Sequence, residues 1–286
     1  MDAHNANKAS IDTTKDYDIV FLGADLDEAR NGKKLNLALP DGERIKKNFY
    51  DTFVDGDDLE LPMNVLSLGI AGDSTSNLLW RIQHGEMPPN LFSKVWWISI
   101  GANDMARGGC SEEATTLGIL RVAEEVAYNN QGSIVVVSAI LPRSNQKDGN
   151  LAPVSAGHVP LFGKKHTEKH NAEEARKRFQ LWPSIKSVNE QVEGFCTEHK
   201  HIVYFNADDL FLGTVSNFKY RGKTQQIMAD LMPDYKNPSL EGHKILNKAI
   251  REEYDNIVLD GDEDNDIEEK GGNRQLLRQE APQSQP

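Results

Sequence analysis

Long hydrophobic runs are absent from this chain, and its longest apolar stretches have only the length of β-strands. A membrane-spanning helix, which needs about 18 apolar residues, is therefore excluded. The amino-terminal segment has no positively charged region leading into an apolar one, so we predict no secretory signal and expect a cytoplasmic protein. Cysteine is scarce as well. Cys110 and Cys196 stand alone, which supports neither a disulfide framework nor a zinc site, and the sequence predicts no metal and no cofactor.

Positive charge is also in short supply. The chain has 32 Lys and Arg residues against 44 Asp and Glu residues, for a formal net charge of -12. A nucleic-acid partner would need a clustered basic surface, so this class of partner is excluded. The composition, 38% hydrophobic and 27% charged, is typical of a soluble globular protein, and 286 residues are enough for one large α/β domain.

Composition divides the chain into a folded part and two polar ends. Residues 1–15 are polar and aperiodic, and residues 259–286 combine an acidic block with Gly, Gln and Pro, so both are predicted to be disordered. The folded domain is predicted to span 16–258. Within it, residues 144–180 are too long for an ordinary connection and mix loop residues with Lys, Arg and His, which predicts a surface insertion.

Short runs rich in β-branched and aromatic residues recur along the folded part. Their nearly continuous hydrophobicity predicts strands buried on both faces of a parallel sheet. The segments between them have helical periodicity, and this alternation predicts a three-layer α/β/α, flavodoxin-like, doubly wound sheet of about five parallel strands. The predicted strands are DIVFLG at 18–23, NVLSLG at 64–69, VWWISIG at 95–101, SIVVVSAIL at 133–141 and HIVYFN at 201–206.

In an open α/β sheet, ligands bind outside the carboxyl ends of the strands, so the residues that follow each strand deserve most notice. GIAGDST at 69–75, with LLWRI at 78–82, follows the second strand, and GAND at 101–104 follows the third. DYKNPS at 234–239 precedes the last helix. In order and spacing these blocks resemble those of the SGNH hydrolases (GDSL esterases), and most closely the platelet-activating-factor acetylhydrolase catalytic-subunit group, over roughly 17–253.

The resemblance implies a set of site residues. In that family a serine after the first strand is the nucleophile, and a histidine near the carboxyl terminus is the base, oriented by an aspartate three residues before it. An oxyanion hole is formed by a backbone N–H of the second block and the asparagine side chain of the third, with donors worth on the order of 3 kcal/mol each. Position by position, these imply Gly72 and Asn103 for the oxyanion hole and Asp234 for the orienting aspartate.

Two positions depart from the family pattern. Asp25 occupies the nucleophile position in place of serine, and Asn237 occupies the histidine position. Asparagine cannot act as a general base at neutral pH. We therefore expect a degenerate triad in an inactive or altered relative, which keeps the oxyanion-type cleft and binds a small acyl or acetylated ligand or a partner.

Two other functions remain open on the sequence. One is an active ester hydrolase that uses Asp25, Ser74 or a relocated base. The other is an interaction scaffold whose residues 144–180 and acidic tail carry the protein contacts. A homodimer is compatible with the resemblance but is not established by it.

Several further residues have a functional and a structural interpretation. Ser74 ends a literal Gly-Asp-Ser, yet it follows the second strand, so a helix cap is favoured over a nucleophile. His243 is the histidine nearest to Asn237, and packing in the first turn of the last helix is favoured over catalysis. His166 and His170 have i, i+4 spacing, but no third metal ligand is indicated nearby and a solvated helix face is favoured.

Overall fold

The computed structural model describes residues 3–56, 62–152, 181–217 and 222–258. They divide into two compact units, Met1–Asn247 and Lys248–Pro286, and the first of these contains the sheet. In the second unit, the described residues 248–258 are helical, with Lys248–Glu252 and Arg251–Asp255 ion pairs at i, i+4 spacing. In the part of the chain that the structure describes, no helix has the length and apolarity needed to cross a membrane.

The elements of the first unit follow one another in a βα alternation. The strands are β1 (Asp16–Gly23), β2 (Lys33–Lys34), β3 (Leu37–Ala38), β4 (Val65–Gly69), β5 (Phe92–Ser99), β6 (Ile134–Ser138), β7 (Ile202–Phe205), β8 (Leu212–Asn217) and β9 (Gly222–Ile227). The α-helices are α1 (Ala3–Ser10), α2 (Asp25–Arg30), α3 (Gly42–Phe53), α4 (Thr75–Arg81), α5 (Ala102–Ala106), α6 (Glu112–Asn129) and α7 (Trp182–Thr197). A π-helical turn (Ile82–Glu86) follows α4, a 3-10 turn (Asp208–Phe211) precedes β8, and residues 240–247 are helical.

Five parallel strands form the central sheet in the order β4-β1-β5-β6-β7, with helices on both faces. The predicted three-layer fold is therefore confirmed. The ends of each predicted strand of the sheet lie within three residues of the observed ends. The strands were predictable because strands buried on both faces have nearly continuous hydrophobic sequences. Residues 19–22 of β1 have no exposed surface.

An aromatic cluster fills the core beside β1. Phe21 packs edge-on against Phe49 and Phe53 of α3, with ring centroids 5.6 and 5.8 Å apart, and Trp97 of β5 lies 6.2 Å away. Trp97 and its neighbour Trp96 are fully buried. The tryptophan pair is thus core packing, as the apolar strand around it indicates.

The prediction of a disordered amino terminus is wrong for residues 3–10, which form helix α1. Asn7 is buried and donates hydrogen bonds to the carboxylate of Glu86 at 3.3 Å. His4 Nδ1 lies 2.8 Å from the same carboxylate. The partner that fixes this helix is some eighty residues away in the chain, so the polar composition of the segment alone gives no sign of it.

The first nine residues of the predicted surface insertion at 144–180 are described by the structure and are partly buried. Ser144, Asn150 and Leu151 are buried, and the Leu151 N–H donates to the Gln225 carbonyl of β9 at 3.0 Å. The hairpin of β8 and β9, which the sequence did not predict, provides this partner. Residues 153–180, with His166 and His170, and the acidic tail at 259–286 lie outside the described residues.

A buried ion pair joins α2 to the aromatic core. Arg30 and Asp27 have no exposed side-chain surface and pair through Nη1 and Oδ1, and the Arg30 guanidinium lies 4.2 Å from the centroid of the Phe21 ring. Burial, opposed by the charges of Arg30 and Arg81, raises the pKa of Asp27 to about 6. Asp27 Oδ2 and Arg30 Nε and Nη2 have no hydrogen-bond partner among the described residues. The two charges are therefore paired with each other, but several of their hydrogen-bonding atoms lack partners.

Removing one partner of this pair should cost far more than removing both. We expect Asp27→Ala to lower the free energy of unfolding by about 3–5 kcal/mol at pH 7.5, because it leaves a buried guanidinium without a counter-charge. The double variant Asp27→Leu, Arg30→Met should recover most of that loss. Urea unfolding of the wild type and both variants measures this, and a double variant no more stable than Asp27→Ala would contradict it.

Candidate functional site

The carboxyl ends of three adjacent strands define the site. Gly23 of β1 is in register with Gly69 of β4 on one side and with Ser99 of β5 on the other. From β1 the chain crosses to one neighbour and then returns to the other, so the strand order reverses at this point. Such a reversal opens a crevice beyond the strand ends, which is where α/β sheets bind ligands.

Asp25, Gly72 and Asn103 meet in this crevice. The Oδ2 atom of Asp25 accepts a hydrogen bond from the Gly72 N–H at 2.9 Å and another from Asn103 Nδ2 at 3.0 Å. The Oδ1 atom lies 3.4 Å from Lys34 Nζ. The two donors that the family resemblance assigns to an oxyanion hole are thus bound by Asp25, the residue that the same resemblance assigns to the nucleophile position.

The surroundings keep Asp25 ionised. Burial alone would raise the pKa of this carboxyl, but the hydrogen bonds from Asn103 and Gly72 and the charges of Lys34 and Arg143 outweigh it. The pKa of Asp25 is therefore held below its ordinary value of 3.8. At neutral pH the crevice contains a carboxylate that two donors and two cations stabilise.

The Gly72 donor depends on a backbone conformation that favours glycine. Gly72 has φ +92°, and a Cβ atom there would lie 2.6 Å from Arg107 Nη1. Asn103 is held by a second hydrogen bond, from Nδ2 to the Asp73 carbonyl at 3.0 Å. Both donors are therefore fixed in place by the loop that follows β4.

Asp104, the next residue of the third block, links the first turns of helices α4 and α5. Its carboxylate accepts hydrogen bonds from the Thr75 N–H at 3.0 Å and the Thr75 hydroxyl at 2.6 Å. Thr75 begins α4, and Asp104 lies in α5. The GAND block thus supplies one residue that faces Asp25 and one that holds the surrounding loops.

Arg81 organises the rear of the crevice. It is buried, and its Nη2 donates to the carbonyl of Gly23 at 2.8 Å while Nε binds Asp73 at 2.7 Å. Nη1 donates to the carbonyl of Leu68 at 3.3 Å and pairs with the buried carboxylate of Glu86. One guanidinium therefore joins the ends of β1 and β4 to the loop that carries Gly72.

Glu28 connects the same loop to a short hairpin over the crevice. Its buried carboxylate accepts hydrogen bonds from the Ala71 N–H at 2.7 Å, the Leu35 N–H at 2.9 Å and the Asn36 N–H at 2.7 Å. Leu35 and Asn36 form the two-residue turn between β2 and β3, with φ 52° and 60°. This conformation is unusual for leucine, and the two hydrogen bonds to one carboxylate help to stabilise it.

Asp234 and Asn237 make the contact expected of an orienting pair. Asn237 Nδ2 donates to Asp234 Oδ2 at 2.7 Å, and the Asn237 N–H donates to Oδ1 at 2.7 Å. Burial acts to raise the pKa of Asp234, but the hydrogen bonds from Asn237 and Lys236 outweigh it and lower that pKa below 3.8. Asp234 thus holds the side chain and the backbone N–H of Asn237, the residue that the resemblance assigns to the histidine position.

A cavity of about 120 Å³ adjoins Asp25 and Asn237. Its wall is mainly apolar, and among the residues that line it are Leu26, Leu39, Ile100, Ala139, Ile140 and Leu141. Three cationic side chains, Lys34, Arg143 and Lys236, also line it. The described residues contain no group of three or more His, Cys, Asp or Glu side chains placed to hold a metal ion.

The two secondary candidates take structural positions. Ser74 is the N-cap of α4, where Asn77 Oδ1 accepts hydrogen bonds from its N–H at 3.1 Å and its hydroxyl at 2.6 Å. His243 lines the inner part of the cavity and is 2% exposed. Burial, with the nearby charge of Arg30, lowers the pKa of His243 to about 3, so the neutral ring is a weak base.

Lys34, Arg143 and Glu28 are site residues that the sequence analysis missed. Arg143 had a usable signal, because it lies just beyond the carboxyl end of β6, where ligand-binding residues are expected. Lys34 and Glu28 had none. Both depend on the β2–β3 hairpin, which is too short for its pattern to be recognised.

Comparison with known proteins shows which folds this chain resembles. No family model matches the chain. A GDSL-like lipase from Bacteroides thetaiotaomicron superposes with a TM-score of 0.59 and 18% identity, covering 89% of this chain and 96% of the other. This chain has the SGNH-hydrolase fold. The lipase/acylhydrolase from Enterococcus faecalis shares the fold at a TM-score of 0.50 and 14% identity, covering 83% of this chain and 94% of that one.

The sequence matches cover shorter segments of the chain. Platelet-activating factor acetylhydrolase IB subunit alpha1 from Bos taurus is 34% identical over 82 residues, which is 29% of this chain. The match spans only about a third, 34%, of the length of that relative. The resemblance drawn from the sequence motifs is confirmed at the level of the SGNH fold.

The depressed pKa of Asp25 should depend on Asn103. We expect the Asp25 carboxyl to titrate below 3.8 in the wild type and closer to that value in Asn103→Ala, because one donor to the ionised form is lost. Ionised Asp25 contributes stability above the unfolded-state pKa and loses it as the pH falls through the folded-state pKa, so Asn103→Ala should destabilise the protein at neutral pH more than in acid.

Carboxyl ¹³C NMR titration measures this shift. Ser74→Ala is the matched control, since Ser74 lies in the same loop and makes its hydrogen bonds to the next helix rather than to Asp25. An Asp25 titration that is the same in Asn103→Ala and in the wild type would contradict the assignment of Asn103 as its donor.

Proposed function

We propose that this protein is a non-hydrolytic relative of the SGNH acylhydrolases that binds a small acyl or acetylated ligand in the cleft beside Asp25. The observation that carries the proposal is the position of the Asp25 carboxylate. One of its oxygens accepts both hydrogen bonds that an ester hydrolase would offer to a developing oxyanion.

This arrangement opposes ester hydrolysis at two steps. An acyl transition state needs the Gly72 and Asn103 donors, but Asp25 already uses them, and displacing a carboxylate from two hydrogen bonds and a nearby lysine is unfavourable. Proton transfer fails as well, because Asn237 has no basic atom. The loss of either donor from an oxyanion hole costs on the order of 3 kcal/mol, so two occupied donors and a missing base together suppress turnover.

The lining of the cleft and its volume support an acyl ligand. Its walls are apolar, its volume is about 120 Å³, and an engineered cavity of about 150 Å³ in another protein accommodates benzene, so a short acyl group fits. The similarity in fold to a GDSL-like lipase, and of one segment to an acetylhydrolase subunit, supports the same ligand class. We favour a neutral acyl ligand, since Asp25 occupies the anion-binding donors.

Restoring the family residues tests the non-hydrolytic part of the proposal. We expect p-nitrophenyl acetate and butyrate to be hydrolysed at background rates by the wild type, by Asp25→Ser and by Asn237→His. The double variant Asp25→Ser, Asn237→His should gain turnover, because it empties the oxyanion donors and supplies a base that Asp234 can orient.

The gain should disappear when Asn103→Ala is added to the double variant, since the side-chain donor is then lost. This triple variant separates cleft chemistry from contamination by another esterase. Appreciable wild-type turnover that Asn103→Ala abolishes would overturn the proposal and establish an active hydrolase with a different base.

Ligand binding has its own test. Short neutral amides such as N-propylacetamide, which resemble esters but resist hydrolysis, should raise the melting temperature of the wild type. Ala139→Phe should remove the effect, because Ala139 lines the cavity and a phenyl ring would fill it. A matched exposed substitution outside the cavity, Ala106→Phe, should leave the shift unchanged. If no ester, amide or acetylated sugar shifts the wild-type melting temperature, the ligand-binding part of the proposal fails.

A further inference from the structure

The two oxygens of Asp25 are in different states. Oδ2 accepts hydrogen bonds from Gly72 and Asn103. Oδ1 accepts none from the described residues, and Lys34 Nζ approaches it only to 3.4 Å. Asp25 lines the cavity, and its side chain retains 15% of its accessible surface. The carboxylate is therefore fixed through one oxygen, while the other keeps its lone pairs available.

We propose that Asp25 is a nucleophile toward saturated carbon, and that the cleft takes small primary haloalkanes whose carbon–halogen bond it breaks. Carboxylates serve as covalent nucleophiles in several enzyme classes, which requires an ionised oxygen with access to the electrophile. This activity goes beyond the binding of acyl ligands and does not depend on it.

The geometry favours a saturated carbon over an acyl carbon. Attack on an acyl group would build a new oxyanion, for which no donor is left once Gly72 and Asn103 bind Oδ2. Displacement at a saturated carbon builds no oxyanion. Its negative charge moves to the leaving group, on the side of the carbon opposite Oδ1, and the Arg143 guanidinium, which lines the same cavity, can stabilise a departing halide.

The first step balances without a co-reactant. A lone pair of Asp25 Oδ1 forms a bond to the carbon, the carbon–halogen bond breaks, and the halide leaves with its electron pair. The product is an alkyl ester in which Oδ2 has become the carbonyl oxygen. That oxygen stays on the Gly72 and Asn103 donors, which polarise the ester carbonyl.

The second step is hydrolysis of this ester, and here the chain lacks a base. Water attacks the Asp25 carboxyl carbon, the alcohol departs with Oδ1 and one proton, and the other proton goes to solvent. Asn237 stands where a family histidine would activate that water, so release should be slow. The ester should therefore accumulate, and Asn237→His should shorten its lifetime.

Mass spectrometry of the full chain treated with 1-bromopropane tests the proposal. The experiment uses a Cys110→Ser background, because Cys110 is an exposed thiol, whereas burial raises the pKa of Cys196 to about 11 and suppresses its thiolate. We expect one propyl group, mapped to Asp25 and formed about tenfold or more faster than at any other carboxyl group, as positioning in a site allows.

Three variants sharpen the result. Asp25→Asn, which preserves the shape of the side chain, should show no adduct at position 25, and Arg143→Met should form the adduct more slowly. In Asn237→His the adduct should decay, and isotopically labelled water should leave its oxygen in Asp25. Bromide release provides a second readout that does not depend on recovery of the peptide.

Propylation of Asp25 no faster than that of exposed carboxylates, with no bromide release above buffer, would overturn the proposal. The same is true if Asp25→Asn releases bromide at the wild-type rate. Neither result bears on acyl-ligand binding, which the melting-temperature experiment measures with amides that cannot alkylate Asp25, so failure of one idea is distinguishable from failure of the other.

Discussion

The buried guanidinium of Arg81 is the interaction on which the site depends most. It binds carbonyls near the carboxyl ends of two neighbouring strands, those of Gly23 and Leu68, and the carboxylates of Asp73 and Glu86. Parallel strands end in carbonyl groups that the sheet itself does not satisfy, and a planar cation with several donors can satisfy two of them at once. In doing so it also fixes the loop that carries Gly72 and, through Glu86, the amino-terminal helix.

Because Arg81 fixes the loop that carries Gly72, the crevice contains hydrogen-bond donors in fixed positions. Asn103 and Gly72 present donors that are held rigidly before any ligand arrives, and such preorganised donors attract whatever anion is nearest. In this chain the nearest anion is covalently attached. The Asp25 carboxylate therefore occupies both donors, and these contacts leave its Oδ2 atom hydrogen-bonded and its Oδ1 atom available.

The sequence predicted the sheet because it depends on short-range patterns, and the family resemblance singled out Asp25, Gly72 and Asn103, which the fold brings together. The strands are continuous apolar runs, and Asp25, Gly72 and Asn103 follow three of them at the strand ends. The roles of Arg81, Glu28 and Lys34 could not be predicted, since each acts on a residue from another part of the chain. Helix α1 was not predicted for the same reason. Its buried Asn7 is hydrogen-bonded to Glu86, which only the folded structure brings near. Local composition cannot reveal a contact between distant segments.

The hairpin of β2 and β3 is anchored at its tip as well as at its base. Leu35 is 60% exposed, yet its amide hydrogen and that of Asn36 point into a carboxylate that water does not reach. Hydrogen exchange at these two amides therefore reports on the detachment of the whole hairpin from Glu28, not on local solvent contact. Lys34 lies on the same hairpin. The exchange rate of these two amides would therefore measure how often Lys34 moves away from Asp25.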